Sequence, residues 1–444
     1  MSLSFSPTEI AQWVNATWEP LAPAEPITGI STDTRTLQPG NLYVALSGEN
    51  FDGHRFLEAA IKKGAAGAIV QAGFYVENRP FLSVPDPLLA LQNMATGYRK
   101  SWNGISIAIT GSVGKTTVKE MCAAVLETQF NVHRTRGNLN NHIGLPLTIM
   151  SMPPETTHGL FELGMNHSGE ISMLAKMAQP QVGIITDIGA AHLEHFNSIE
   201  EIAQEKGALL KMLPEDGLAI LDAGSPWFDL LKKDISCRIV TFAMDDSSAD
   251  YVGRMLDEQT LNVQGVTYRL PLPGEHILRN AIRAIVLGLE FGIAPEKIAE
   301  GLLHFQLPPM RWECSKINEI NFINDAYNAN PISMRAALRT FAQQSAEGKK
   351  WVVLGGMREL GKNSSQAHAD VGAFVENLGF DGVVSVGALA QGFDPEKTRN
   401  IHFYSTSEQA TTFLKNQLLP GDVVLLKASR GEALEQIMNH FKEN

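Results

Sequence analysis

Cysteine is scarce in this 444-residue sequence: Cys122, Cys237 and Cys314 stand far apart and form no CxxC or CxxxxC pair. Neither a disulfide framework nor a cysteine-built zinc cage is expected to organise the fold. Long apolar runs are missing too. Nowhere do eighteen apolar residues follow one another, and the N-terminal MSLSFSPTEIAQWV has no basic stretch leading into an apolar one. No integral membrane segment is expected, and the chain reads as cytoplasmic. No two glycines are separated by a single residue, which removes the GxGxxG dinucleotide fingerprint. Positive charge is in deficit, with 36 Lys and Arg against 48 Asp and Glu, a net charge of −12. Such acidity opposes contact with nucleic acid or anionic lipid, so any anionic substrate has to be met by a local basic pocket.

What is present is a globular composition, 44% hydrophobic and 19% charged, in a chain too long for one ordinary core. Early strand-like runs, Leu42 to Leu46 and Ala68 to Val70, accompany a helical stretch from His54 to Lys63. The prolines of Val84-Pro85-Asp86-Pro87 then mark a domain edge. Alternation at Ile105, Ile107 and Ile109 predicts a strand, and Val118, Met121, Cys122, Val125 and Leu126 fall on one helical stripe. Leu160 to Leu163, Val182 to Ile188 and Leu218 to Leu221 are further buried strands separated by helical stretches, the pattern of a mostly parallel sheet covered by helices. From about Met310 the alternation resumes, with strands at Asn321 to Asp325, Trp351 to Leu354, Val383 to Val386 and Val423 to Leu426. The expectation is an α/β protein of three domains: 1–83, small; 84–309, central, of the P-loop ATPase type; and 310–444, Rossmann-like.

Between the strand at Ile105 and the helical stripe lies Gly111-Ser112-Val113-Gly114-Lys115-Thr116-Thr117. Strand, glycine loop and helix, in that order, make a phosphate cradle: glycines turn backbone N–H groups toward the anion, and the helix presents its positive end. Lys115 supplies a point charge, and Thr116 is the expected hydroxyl ligand of a Mg²⁺ ion bridging the outer phosphates of ATP. Ile109 occupies the place of the first glycine of the full GxxxxGK[ST] pattern. Two further candidate metal ligands, Glu162 and His192, end predicted strands, where an open α/β sheet forms its crevice. His192 and His195 have helical spacing, but without HExxH or a cysteine partner they do not indicate zinc.

Several longer stretches resemble the Mur ligase family, most closely its D-alanyl-D-alanine-adding members. They are TDTRTLQPGNLYVAL (32 to 46), ITGSVGKTTVKEM (109 to 121), GNLNNHIGLPLT (137 to 148), FELGMNHSGEI (161 to 171), AAHLEHF (190 to 196), DAYNANPISM (325 to 334) and LKASRGEALE (426 to 435). The third and the sixth are the specific ones. The resemblance implies an N-terminal domain that binds a UDP-sugar, a central ATPase domain and a C-terminal domain that takes the amino substrate. It further implies that a carboxylate attacks ATP to give an acyl phosphate, which an amine opens to an amide. Here the implied substrates are UDP-N-acetylmuramoyl-tripeptide and D-alanyl-D-alanine, and a monomer is expected. By the same resemblance Thr116, Glu162 and His192 hold magnesium, joined by Lys206 as a carbamoylated lysine, and Lys115, His192, Lys206 and Arg311 carry the catalysis. Asn280 meets adenine, Asp325 the ribose, and Arg311 a phosphate or the reacting carboxyl. Ser31, Thr32, Asp33 and Arg35 fall in the uridine-binding stretch, Asn138, Asn140 and Asn141 in the loop toward the muramoyl-peptide. Asn328, Asn330, Ser429 and Arg430 complete the substrate-binding set.

Four residues depart from the pattern: Ala208 where a glutamate is common, Ile277 in place of an asparagine, Gly356 in place of an aspartate, and Arg358 as an added charge. Competing readings are a diaminopimelate-adding or folylpolyglutamate-type ligase, and a nucleotide-binding scaffold without ligation. The absence of a DNPR motif speaks against the diaminopimelate type. Lys115, Thr116, Glu162, His192 and Lys206 together speak against the scaffold.

Overall fold

The structure, a computed structural model, describes residues 3–442 apart from Asn78, Ala191, His192, Ser247, Pro395, Lys397 and Thr398. Three sheets organise it. The N-terminal sheet runs in the order Trp18–Glu19, Phe81–Val84, Gly67–Gln71, Asn41–Val44, Gly29–Ser31, parallel except for its first pair. The expected helix from His54 begins instead as the 3-10 turn Gly53–Phe56 and continues as Leu57–Lys62. Asp52 causes this by capping the amide of His54 and gripping its ring at 2.8 Å, which tightens the first turn.

The central sheet carries the order Val266–Arg269, Thr260–Val263, Tyr251–Met255, Arg238–Met244, Leu218–Asp222, Val182–Ile185, Ile105–Thr110, His158–Glu162, Val132–Arg134. It is parallel from Tyr251–Met255 onward, and the first two strands form an antiparallel extension that the sequence reading missed. Ile105, Ile107 and Ile109 face the layer built by the helices Lys115–Leu126, Glu275–Glu290 and Pro295–His304, and the predicted stripe from Val118 to Leu126 packs there. Ala108 faces the opposite layer, in which the helices Pro87–Ser101, Glu170–Ala178 and Ile199–Lys211 join the N-terminal sheet in one continuous core. Arg99 locks that layer: its buried guanidinium donates to the carbonyls of Ala178, Gln179 and Trp102 and to Gln181.

The C-terminal sheet runs Glu313–Ile317, Ile320–Asn324, Val423–Lys427, Lys350–Gly355, Gly382–Val386, His402–Tyr404, with one antiparallel pair at the edge and a hydrophobic core on each face. It is seated against the central domain. Ile332 occupies the space beside Gly189, Gly361 lies against Glu194, and Thr340 lies against Gly274. Carboxyl ends of parallel strands from both sheets thereby face one crevice.

Candidate active site

The phosphate loop leaves the strand Ile105–Thr110 at Gly111, where a Cβ would lie 1.8 Å from Thr186 Oγ1. Only glycine fits. The amides of Ser112 and Val113 both donate to the carbonyl of Asp187, at 2.8 and 3.2 Å, and Thr186 Oγ1 donates to the carbonyl of Val113. These bonds explain why the expected strand Val182 to Ile188 stops at Ile185: its last residues hold the loop instead of continuing the ladder. Gly114, at φ +88°, then opens the helix Lys115–Leu126, and a Cβ there would meet Asn280 Oδ1 at 2.7 Å. The first amides of a helix have no acceptor further back in it, so this end of the loop is shaped for an anion. Lys115 Nζ lies across the loop on the carbonyl of Gly111, at 2.8 Å. Burial pushes its pKa down against the pull of Glu162.

Glu162 is 3% exposed and ends the strand His158–Glu162. Its carboxylate accepts the Thr116 hydroxyl and the Asn140 amide, each at 2.9 Å, with Lys119 Nζ 3.8 Å away. Because Thr116 gives its proton to Glu162, the lone pairs of its oxygen are directed elsewhere. Hydroxyl and carboxylate oxygens are the donors a hard cation takes, so this pair fits Mg²⁺. Among the described residues no group of three or more His, Cys, Asp and Glu side chains gathers as a metal cage. His192 lies outside the described residues. Lys206, 1% exposed on the helix Ile199–Lys211, has its pKa driven well down, first by burial and then by the charge of Lys115. Two lysines close enough to repel in a buried setting call for anions between or beside them.

A cavity of about 460 Å³ runs from this loop to the C-terminal domain. It brings together Ser112 to Thr117, Asn138, Asn140, Asn141, Glu162, Asn280, Arg311, Asp325, Asn328 and Asn330 from the sequence reading. The Arg311 guanidinium stacks on the Tyr327 ring at 4.3 Å. Asp325 accepts Lys427 Nζ at 2.8 Å and the amide of Trp312 at 3.2 Å, and Asn330 caps the helix Pro331–Gln343. Trp312 also lines the cavity, and its buried indole N–H has no acceptor among the described residues. Ile277 belongs to the cavity wall and to the core behind it, so apolar surface stands where the family pattern has an amide.

Other residues lie off this wall. Gly111 and Lys206 sit behind it. Ser31, Thr32, Asp33 and Arg35 are on the N-terminal domain, where hydrogen bonding from Arg35 pulls the Asp33 pKa down to about 2. Ser429 is buried and accepts the amide of Arg358, while Arg430 pairs with Glu435 and Met310, so both tie loops together and are absent from the wall. Gly356 leaves no room for the family's aspartate, because Leu389 Cβ lies 2.5 Å from where a Cβ would be. Ala208 packs into the core as a small apolar residue.

Four residues that the sequence reading did not single out matter here. Lys119, fully buried one turn after Lys115, binds the carbonyl of Thr135, Glu120 and the charge of Glu162. Lys427 holds Asp325, Arg283 holds Asp187 at 2.7 Å, and Glu359 lines the cavity from the C-terminal side. Spacing carried a signal for Lys119, four residues from Lys115, and a charge ending the buried run VVLLK carried one for Lys427.

Three models of one family match the chain. Residues 26–139 match the model of the Mur ligase family catalytic domain, 109–288 that of the Mur ligase middle domain, and 310–430 that of the Mur ligase glutamate ligase domain. The UDP-N-acetylmuramoyl-tripeptide--D-alanyl-D-alanine ligase of Bacillus subtilis is 38% identical over 432 residues, covering 94% of each chain. The protein of that name from Escherichia coli is 34% identical, again with 94% of each chain covered. A crystal structure of MurF from Acinetobacter baumannii superposes with a TM-score of 0.91 at 31% identity over 100% of both chains. MurF ligase from Thermotoga maritima, solved in complex with ADP, gives 0.82 at 25% identity over 94% of this chain and 97% of that one. With a phosphate loop, an oxygen-donor pair and a basic wall meeting in one cavity, and with similarity along nearly the whole length, the chain belongs to the Mur ligase family.

Proposed function

We propose that this chain joins D-alanyl-D-alanine to UDP-N-acetylmuramoyl-tripeptide, converting ATP to ADP and phosphate, as a step in peptidoglycan precursor synthesis. The observation that carries the reading is the single cavity shared by Lys115, the Thr116–Glu162 pair, the asparagine loop 138–141 and the C-terminal wall of Arg311, Asn328 and Lys427. In this reading a carboxylate oxygen of the tripeptide takes the terminal phosphoryl group of ATP, and ADP leaves. The amine of D-alanyl-D-alanine then forms a C–N bond to the acyl carbon as the C–O bond to phosphate breaks, and its surplus protons pass to solvent.

The reactants are anions, so the chain's own cations do much of the work. Lys115 leaves the Gly111 carbonyl for the transferred phosphoryl group, the amides from Gly114 to Thr117 take phosphate oxygens, and Arg311 reaches the outer phosphates or the reacting carboxyl. Thr116 and Glu162 would hold Mg²⁺, which when bound offsets phosphate charge. Asn280 faces the base, and Asp325, with lone pairs left after Lys427 and Trp312, faces the ribose. Ser31, Thr32, Asp33 and Arg35 hold the uridine end, and Asn138, Asn140 and Asn141 the peptide end. A neutral Lys206 amine can add CO₂ and lose a proton, becoming a carbamate whose charge offsets Lys115. A ¹³C resonance from labelled bicarbonate that persists in Lys206→Arg would rule this out.

The division 1–83, 84–309 and 310–444, a monomeric state and a cytoplasmic setting belong to the same proposal. No helix among the described residues is long and apolar enough to cross a membrane. The test is phosphate release from purified protein given ATP, magnesium, UDP-N-acetylmuramoyl-tripeptide and D-alanyl-D-alanine, with the product weighed by mass spectrometry. Release at background level, or an equal rate with other amines, defeats the reading.

A further inference from the structure

Residues three and four apart on a helix are neighbours, so on the helix Lys115–Leu126 the side chain of Lys119 adjoins both Lys115 and Thr116. Lys115 lines the cavity, whereas Lys119 is fully buried behind it. A buried charge is costly unless it is paired and hydrogen-bonded. Lys119 Nζ donates to the Thr135 carbonyl at 2.6 Å and pairs with Glu120 Oε1 at 2.9 Å. It also stands 3.8 Å from Glu162 Oε2, the oxygen that accepts the Thr116 hydroxyl. That last separation is too long for a hydrogen bond, so Lys119 acts on Glu162 through charge alone.

The surroundings hold this spacing. Glu120 is gripped from its other side by Arg134 Nε at 2.8 Å, and the Thr135 hydroxyl accepts the amide of Glu162 at 3.0 Å. Arg134, Glu120, Lys119 and Glu162 thus make a row of alternating charge that ends at the carboxylate beside Thr116. Lys119 cannot follow Glu162, because the Thr135 carbonyl and Glu120 keep its ammonium in place. Glu162 in turn has no bond to lysine to break when a divalent cation approaches. Lys115, whose charge also acts on Glu162, differs from Lys119 in lying on the Gly111 carbonyl of the phosphate loop.

We propose that Lys119 is a positioning residue that serves as a built-in counter-ion to Glu162. It offsets the charge of the carboxylate without bonding to it, and so limits how tightly the Thr116–Glu162 pair holds a divalent cation. Glu120 sets the strength of the effect by sharing the lysine's charge. The proposal rests on the reading above in which Thr116 and Glu162 take the metal. It adds a reason for a buried lysine that the reaction itself does not use: a cation held with the full charge of Glu162 would leave slowly with the spent nucleotide.

The test measures binding rather than turnover. Manganese, a paramagnetic cation with the same taste for oxygen donors, is titrated into the full chain with ADP, and the free ion is read by its magnetic resonance signal. Lys119→Met removes the charge at similar length and should tighten manganese binding about tenfold or more. Lys119→Arg keeps the charge and should stay within about threefold of the unaltered protein. Glu120→Gln leaves the lysine's charge unshared and should move affinity the other way, about threefold or more weaker, with little change in thermal unfolding. A purely structural role for the row would make Lys119→Met and Glu120→Gln loosen binding alike, and that outcome overturns the proposal, as does unchanged affinity in Lys119→Met. If Lys119→Met does not fold, Glu120→Gln decides: weaker binding at an unchanged unfolding temperature supports the proposal, and unchanged or tighter binding overturns it. If the unaltered protein binds no manganese beside ADP, the metal assignment of Thr116 and Glu162 has failed, and the proposal falls with it.

Discussion

Replacing Glu162 by glutamine tests the centre of the site while keeping its shape. The side chain receives the Thr116 hydroxyl and the Asn140 amide at 2.9 Å each and faces Lys119 at 3.8 Å. Glutamine keeps one oxygen for Asn140 but loses the charge. Its amide nitrogen then faces Thr116 and cannot accept the hydroxyl proton, so a charge-assisted bond gives way to a neutral one in which Thr116 accepts, a loss of about 1 kcal/mol. The larger effect falls on the proposed magnesium site, where removing one preorganised charged group would cost about 3–4 kcal/mol, or about 10²- to 10³-fold in kcat/KM. Folding should suffer by under about 1 kcal/mol, because Lys119 keeps Glu120 at 2.9 Å and the Thr135 carbonyl at 2.6 Å. Phosphate release measured across a magnesium titration, beside a thermal unfolding curve, separates the two effects. The expected result is a magnesium midpoint moved to higher concentration with little change in unfolding. An unchanged magnesium dependence would refute the assignment of Glu162, and a large drop in thermal stability would refute the argument that Lys119 stays compensated.

Other expectations follow from single contacts. Gly114→Ala puts a Cβ 2.7 Å from Asn280 Oδ1 at φ +88°, so ATP affinity by calorimetry should fall at least about tenfold; affinity within twofold would mean that the loop tolerates a side chain. Arg283→Met leaves the partly exposed Asp187 without its guanidinium partner and should cost about 1–2 kcal/mol in denaturant unfolding. Because the Asp187 carbonyl holds the amides of Ser112 and Val113, nucleotide affinity should fall as well, and adding Asp187→Asn should return part of the stability. Failure of that second substitution to help would count against a charge effect. His158 is buried, and desolvation lowers its pKa from 6.5 to about 4. Between those values the unfolded chain binds a proton that the folded one does not, so stability is full above pH 6.5 and falls as pH drops toward 4, by up to about 3 kcal/mol. His158→Leu should flatten that acid-side decline in unfolding midpoints, and an unaltered slope would assign it to other groups.

The amino-acid sequence by itself determined the parts of this protein that depend on local chemistry and period. Glycines at 111 and 114 before Lys115, isoleucines alternating along the strand before them and an apolar stripe after them specify a phosphate loop between a buried strand and a helix. Repeated buried runs specify parallel sheets, since strands covered on both faces must be apolar throughout. Tertiary structure alone decided which charged groups meet. Asp187 and Arg283 are 96 residues apart, and Lys427 and Asp325 are 102 apart, yet each pair is in contact at 2.7 or 2.8 Å. No periodicity encodes such partners, because they depend on how two sheets twist and face each other. The same holds for Ser429 and Arg430, whose sequence suits anion binding but whose hydrogen bonds are taken up by neighbouring loops. It holds also for Glu359, which the fold of the C-terminal domain places on the cavity wall. Sequence specified the phosphate loop because a loop and a helix start are built from neighbours in the chain. The C-terminal wall of the cavity is assembled from distant segments, so only the folded chain could show it.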